Sequence, residues 1–180
     1  MIQKLYQKAI KFAGEKHSDQ KVPGTNSNYL LHISNVAMEV LIAYNFDKSF
    51  DLNLAVQVAI LHDVIEDTSA DFLEVKTEFG EHIANGVQAL TKDERLVSKK
   101  EKMLDSLNRV NQLQKEVGIV KLADRITNLQ VPPRHWSREK IIKYCEEAKL
   151  ISMHLKNKND YLSDRLKEEI VNYEMLYIKC

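Results

Sequence analysis

The chain has 180 residues, 44% of them hydrophobic and 29% charged, which is enough for one well-buried domain and too apolar for a disordered segment. Its 26 basic and 26 acidic residues cancel, so no global positive field draws it to nucleic acid or a membrane. Any polyanionic partner must be held by a local group of cations. No apolar run approaches the roughly 18–20 residues of a membrane span. Cys145 and Cys180 make no disulfide framework and fit a reducing compartment. These features lead us to expect a soluble, cytoplasmic single domain over residues 1–180, with Cys180 a frayed terminal thiol.

In chain order, Leu5, Ala9, Phe12 and Ala13 recur at helical spacing in a segment charged throughout, unlike a signal peptide. The run Ser18–Asn28 holds Pro23, Gly24, Asn26, Ser27 and Asn28 and reads as a loop. Val36, Val40, Leu41 and Tyr44 resume the helical pattern. Further helices are predicted over about Leu52–Glu66, Ala70–Glu78, Gly80–Thr91, Lys99–Gln114, Val117–Gln130, Arg138–Leu155 and Tyr161–Ile178. The charged stretch Lys92–Lys102 reads as a mobile connection. Pro132 and Pro133 stop one helix, and Ser137 is placed to cap the next. No stretch alternates as a strand does, and no repeat or long linker divides the chain. The prediction is an all-α bundle of about eight to ten helices.

Three places carry chemistry. In "AILHDVIEDT", a run of core residues ends in His62, Asp63, Glu66 and Asp67. On a continuous helix, 62 and 66 share one face and 63 and 67 the next, so all four could line one pocket. A charged helix end reaching water is an equally good account of those four alone. "NYLLHISNVAMEVL" puts His32 at the start of an apolar helix, where a lone histidine is commonly a core or cap residue. "GIVKLADRITNLQ" embeds Asp124 in an apolar stripe, a costly position for a carboxylate unless it is paired or ligated. Asn128 lies one turn further on the same face.

Together His32, His62, Asp63 and Asp124 form the H…HD…D spacing of the HD metal-dependent phosphohydrolases, which this sequence resembles. Two imidazoles and two carboxylates make a mixed nitrogen and oxygen site that suits Mn²⁺ or a similar divalent ion. The motifs "HDVIEDT" and "VKLADRITNL" resemble more closely the hydrolase domain of the Rel/Spo alarmone enzymes, in which an ED pair follows the HD. So does "AGEKHSDQKVPGTNSNYLLHISNVA", with that family's order of His, Gln, basic residue, Gly, Tyr and His. The resemblance spans about residues 10–130, with the helices of 137–178 compatible with it. A 180-residue chain has no room for a synthetase domain, so the likeness is to the small stand-alone alarmone hydrolases. Two departures stand out: the Gln-to-Gly spacing is one residue shorter than the family's, and Asn28 stands where a proline usually precedes the tyrosine.

The resemblance implies hydrolysis of the 3′-pyrophosphate of (p)ppGpp or an adenine equivalent. It makes His32, His62, Asp63 and Asp124 metal ligands, and Glu66 and Asp67 the groups that handle the water and its proton. Asn128 would contact the ribose or bridging oxygen and Lys21 the base. Tyr29 would pack with one edge toward the ligand. A pyrophosphate also needs cations, and "KDERLVSKKEKM" offers Lys92, Arg95, Lys99, Lys100 and Lys102, with Lys99 and Lys102 taken as the phosphate contacts. Each of these, taken singly, is better read as part of a solvated helix face. His17, His82, His135 and His154 read as structural, and the "PPRHW" turn with Trp136 as pocket rim. Two other readings stay open: an HD phosphohydrolase of another nucleotide or phosphorylated cofactor, and a non-catalytic alarmone sensor. The absence of a downstream GYP motif speaks against a cyclic dinucleotide phosphodiesterase, and neutral charge against a nucleic-acid binder. The oligomeric state is left open.

Overall fold

The computed structural model describes residues 1–179, so Cys180 and the terminal thiol expected there lie outside the described residues. Ten helices follow one another among them: α1 (Ile2–Lys16), α2 (Leu30–Phe46), α3 (Leu52–Leu61), α4 (Val64–Asp67), α5 (Phe72–Phe79), α6 (Glu81–Leu90), α7 (Lys99–Asn111), α8 (Lys115–Asn128), α9 (Arg138–Leu155) and α10 (Asp160–Tyr177). The only extended pairing described is a single bridge between Lys21 and Asn28 in the first loop. None of the helices is long and apolar enough to cross a membrane.

Five of the ten helix starts are written in short polar side chains that accept the unpaired backbone N–H groups of the first turn. Asp51, Asp71, Ser137 and Asn159 do this for α3, α5, α9 and α10. Ser98 and Glu101 form a reciprocal capping box on α7. That box makes Lys99–Lys102 the ordered first turn of a helix, so only the part of Lys92–Lys102 before it connects elements. Between α5 and α6 a single residue, Gly80, turns the chain at a φ of 89°, which a side chain would oppose.

At the centre lies α8, buried at every residue from Glu116 to Thr127. A helix covered on all sides must be wrapped by others, and α2, α3, α6, α7, α9 and α10 all pack on it. Gly86 permits one close approach: a Cβ there would stand 3.1 Å from Val58 and 3.2 Å from Val117, on α3 and α8. Glu39 on α2 accepts a forked set of bonds from Arg165 on α10, 2.8–3.0 Å long. Helices α2, α3 and α8 also pack on one another pairwise. His32 and Asp124 lie on α2 and α8, and His62 closes the C-terminal end of α3.

Candidate active site

His32 enters from the first turn of α2, and Asp124 from the third turn of α8. The sequence pattern predicted one helix through Leu52–Glu66; instead α3 ends at Leu61 and a turn holding His62 and Asp63 precedes the short α4. The reason is local. The Ala59 carbonyl, which a continuing helix offers to the fourth residue on, receives the His62 ring through Nδ1 at 2.8 Å. The break turns His62 and Asp63 inward together, which the continuous helix of the sequence argument did not require.

Four side-chain atoms then converge. His62 Nε2 lies 2.9 Å from Asp63 Oδ2 and 3.8 Å from Asp124 Oδ1. His32 Nε2 lies 3.4 Å from Asp124 Oδ1, 3.9 Å from Asp63 Oδ2 and 3.2 Å from His62 Nε2. Ligands that share one ion at bonds of about 2.0–2.2 Å stand about 3–3.5 Å apart, so this spacing fits a common cation. Among the described residues, His32, His62 and Asp124 each offer a ligand atom, all within 4.8 Å of one another. Asp63 Oδ2 stands beside them.

The surroundings prepare these atoms for a cation. With Nδ1–H given to the Ala59 carbonyl, neutral His62 presents a bare Nε2 inward. The His32 Nδ1 faces Thr127 Oγ1 at 3.5 Å, and that hydroxyl donates to the Asp124 carbonyl at 2.9 Å. Burial alone would lower the His62 imidazole, yet the Asp63 and Asp124 carboxylates lift it to about 9. The pocket favours positive charge. Burial opposes ionisation of Asp124, but the Lys121 ammonium and the two imidazoles hold its carboxyl well below the usual range. Asp63 is lowered likewise, with His62 outweighing its burial. Lys121 donates to Asp124 Oδ2 at 3.0 Å and Asn128 to Oδ1 at 2.5 Å, so the carboxylate is clamped from both sides along its own helix. Asn128, expected at the ribose, is here engaged with Asp124. Tyr29 donates to Asp63 Oδ2 at 2.5 Å, and burial together with that carboxylate raises its phenol.

Around this centre stand the other expected groups. Glu66 accepts from the Lys92 backbone N–H at 2.9 Å and from Lys92 Nζ at 2.5 Å. Asp67 Oδ2 accepts from Gln20 at 2.8 Å, and its partial burial and the charges of Asp63 and Glu66 raise its carboxyl. Of the cations in "KDERLVSKKEKM", Lys92 is the one joined to the ED pair. Lys102 is paired with Glu94, Arg95 with Asp93, and Lys99 is exposed at the start of α7. Lys21 is exposed in the first loop. That loop touches the "PPRHW" turn, where a Cβ on Gly24 would stand 3.3 Å from Pro133. Trp136 packs edge-on against Tyr144, with Lys140 Nζ 4.1 Å above its ring. Sequence reasoning passed over Lys121, although its place three residues before Asp124 on one helix face is a pairing signal. It also set aside His17, which meets Gln20 in this cluster. Two surface grooves of about 370 and 710 Å³ contain none of these residues; converging chemistry, not cavity size, marks the site.

An all-helical bundle that gathers His, His–Asp and Asp from two helices and the turn after a third has the architecture of an HD-type hydrolase. The chain belongs to the HD-domain family, whose model matches residues 9–161. Within that family it is similar to guanosine-3′,5′-bis(diphosphate) 3′-pyrophosphohydrolases. The MESH1 protein of Xenopus tropicalis is 28% identical over 167 residues, which cover 90% of each chain. An Aquifex aeolicus protein of the same description is 33% identical over 145 residues, 78% of this chain and 20% of its own length. Among solved structures, one described as a metazoan ortholog of SpoT that hydrolyzes ppGpp aligns with a TM-score of 0.81. That alignment covers 96% of this chain and 97% of the other, at 25% identity.

Proposed function

We propose that the chain is a metal-dependent 3′-pyrophosphohydrolase of (p)ppGpp-type nucleotides, which releases pyrophosphate and leaves GDP or GTP. The observation that most supports this reading is the convergence of His32, His62, Asp63 and Asp124, with Glu66 and Asp67 beside them. His32, His62, Asp63 and Asp124 would hold the ion, and Mn²⁺ suits their mixture of nitrogen and oxygen donors. A divalent ion held there supplies Lewis acidity toward the phosphoryl oxygens and the attacking water.

The protein's own groups do the rest. Water attacks the phosphorus attached to the ribose 3′-oxygen; a new P–O bond forms and the 3′-O–P bond breaks. Asp67, with its raised carboxyl, accepts the proton of the water, and Glu66 orients that water while Lys92 holds Glu66 in place. The 3′-oxygen departs with that proton, passed on from Asp67, as the ribose hydroxyl. Lys92, whose ammonium also feels Asp63 and Asp124, is the cation best placed to meet the pyrophosphate, ahead of Lys99 and Lys102. Lys21 and Tyr29 lie on the first-loop side, where a base could be received. Asn128 reaches the substrate only as an extension of its bond to Asp124. The protein is read as one domain, acting in the cytoplasm on a free nucleotide.

The test is turnover of ppGpp, pppGpp and their adenine analogues by purified protein loaded with Mn²⁺, Mg²⁺ or Zn²⁺. Stoichiometric release of pyrophosphate, abolished by chelation, is expected. Tight nucleotide binding without cleavage under every ion would make the protein a sensor, and cleavage only of other phosphorylated nucleotides would move it elsewhere in the family.

A further inference from the structure

Behind Asp67 lies a short chain of hydrogen bonds that the hydrolytic reading leaves unassigned. His17 closes α1, only 1% exposed, its ring 5.0 Å from that of Tyr29 and tilted by 31°. Its Nδ1 lies 2.5 Å from Gln20 Oε1, and Gln20 Nε2 donates to Asp67 Oδ2 at 2.8 Å. Chemistry sets the direction of both bonds. A carboxylate only accepts, so Asp67 must meet the amide NH₂, which leaves the amide oxygen facing the histidine. Only a ring N–H can meet that oxygen. Burial lowers the His17 imidazole, so its single proton sits on Nδ1 and Nε2 is left bare. That Nε2 is buried with no partner. An orphaned buried nitrogen costs stability, and an aromatic hydrocarbon ring would pack against Tyr29 without it. What the imidazole adds is the Nδ1–H. At the other end Asp67 is exposed to solvent, and the Gln20 amide is the side-chain donor that restricts it.

We infer that His17 and Gln20 are positioning residues for Asp67. The His17 Nδ1–H fixes the Gln20 amide with its NH₂ outward, and the amide holds the carboxylate in the rotamer that takes the proton from water. This rests on the hydrolytic reading above and extends it by two residues that touch neither ion nor substrate.

The experiment is a mutant cycle read by kcat, KM, bound metal and Tm, with ppGpp as substrate. Gln20→Leu should lower kcat about tenfold, the scale of one charge-assisted hydrogen bond, with KM and metal content within about twofold. In an Asp67→Asn background, adding Gln20→Leu should change kcat by less than about twofold, because its target is gone. His17→Phe keeps the packing and removes the donor. Its Tm should be unchanged or higher while kcat falls several-fold, a split that a purely structural histidine would not give. Full kcat in His17→Phe, or additive losses for Gln20 and Asp67, overturns the inference while an active wild type leaves the hydrolytic reading intact. A wild type that cleaves no ppGpp overturns that reading, and this inference with it.

Discussion

Replacing Lys92 with methionine removes one ammonium and little else. The aliphatic stem is kept, and the Lys92 backbone N–H still holds Glu66 Oε2 at 2.9 Å. What is lost is the 2.5 Å contact from Nζ to Oε1, between side chains 38% and 25% exposed. A fully solvated pair contributes about 0.2–1 kcal/mol, and a buried hydrogen bond to a charged group about 1.5–3 kcal/mol. Partial exposure puts this pair between them, at about 1–2 kcal/mol. At about 1.4 kcal/mol per factor of ten, kcat/KM for ppGpp should fall roughly five- to thirty-fold. Lys92→Arg, which restores the charge, should recover part of it. Bound metal, measured in the same samples, should not change, because Lys92 bonds to Glu66 and not to a ligand of the ion. The reasoning is refuted if Lys92→Met keeps full kcat/KM while Lys99→Ala or Lys102→Ala loses it. Loss of metal in Lys92→Met would instead make the lysine part of the support for the ion.

Asp63→Ala and Asp124→Ala should each lose bound divalent ion and turnover, since four converging donors become three and the charge balance shifts; elemental analysis with retained occupancy would remove these residues from the proposed ligand set. Asp67→Asn should keep metal and substrate affinity and lose at least about 10²-fold in kcat, the scale of a general base, whereas loss of the ion in Glu66→Gln would put Glu66 among the ligands. Arg165→Met leaves the Glu39 carboxylate, 4% exposed, without its forked partner. Denaturant unfolding should show a loss of about 2–3 kcal/mol, below the ~3–5 kcal/mol of a fully buried pair because the guanidinium is a third exposed. An unchanged midpoint would mean that Glu39 takes up its proton or finds water on unpairing.

Much of this protein is legible along the chain because its information is local. Helical periodicity and the cap at Ser137 outline α7 to α9 to within a few residues, and Asp124 stands out as a carboxylate in an apolar stripe. The H…HD…D spacing picks out His32, His62, Asp63 and Asp124 through a family resemblance, and the structure gathers those four. What packing alone decided is which distant side chains meet. The turn at His62–Asp63 depends on a ring taking the Ala59 carbonyl, which no periodicity records. Sequence reasoning puts Lys99 and Lys102 ahead of Lys92, and only the approach of the Lys92 loop to α4, 26 residues away, joins it to Glu66. His17 and Gln20 look like an ordinary helix end and loop until the fold brings Gln20 to Asp67 across 47 residues. Side-chain type and spacing determine faces and caps, since these depend on neighbours a few bonds away. A contact between loops depends on how whole helices pack, and so the orientation of the ED pair belongs to the tertiary structure.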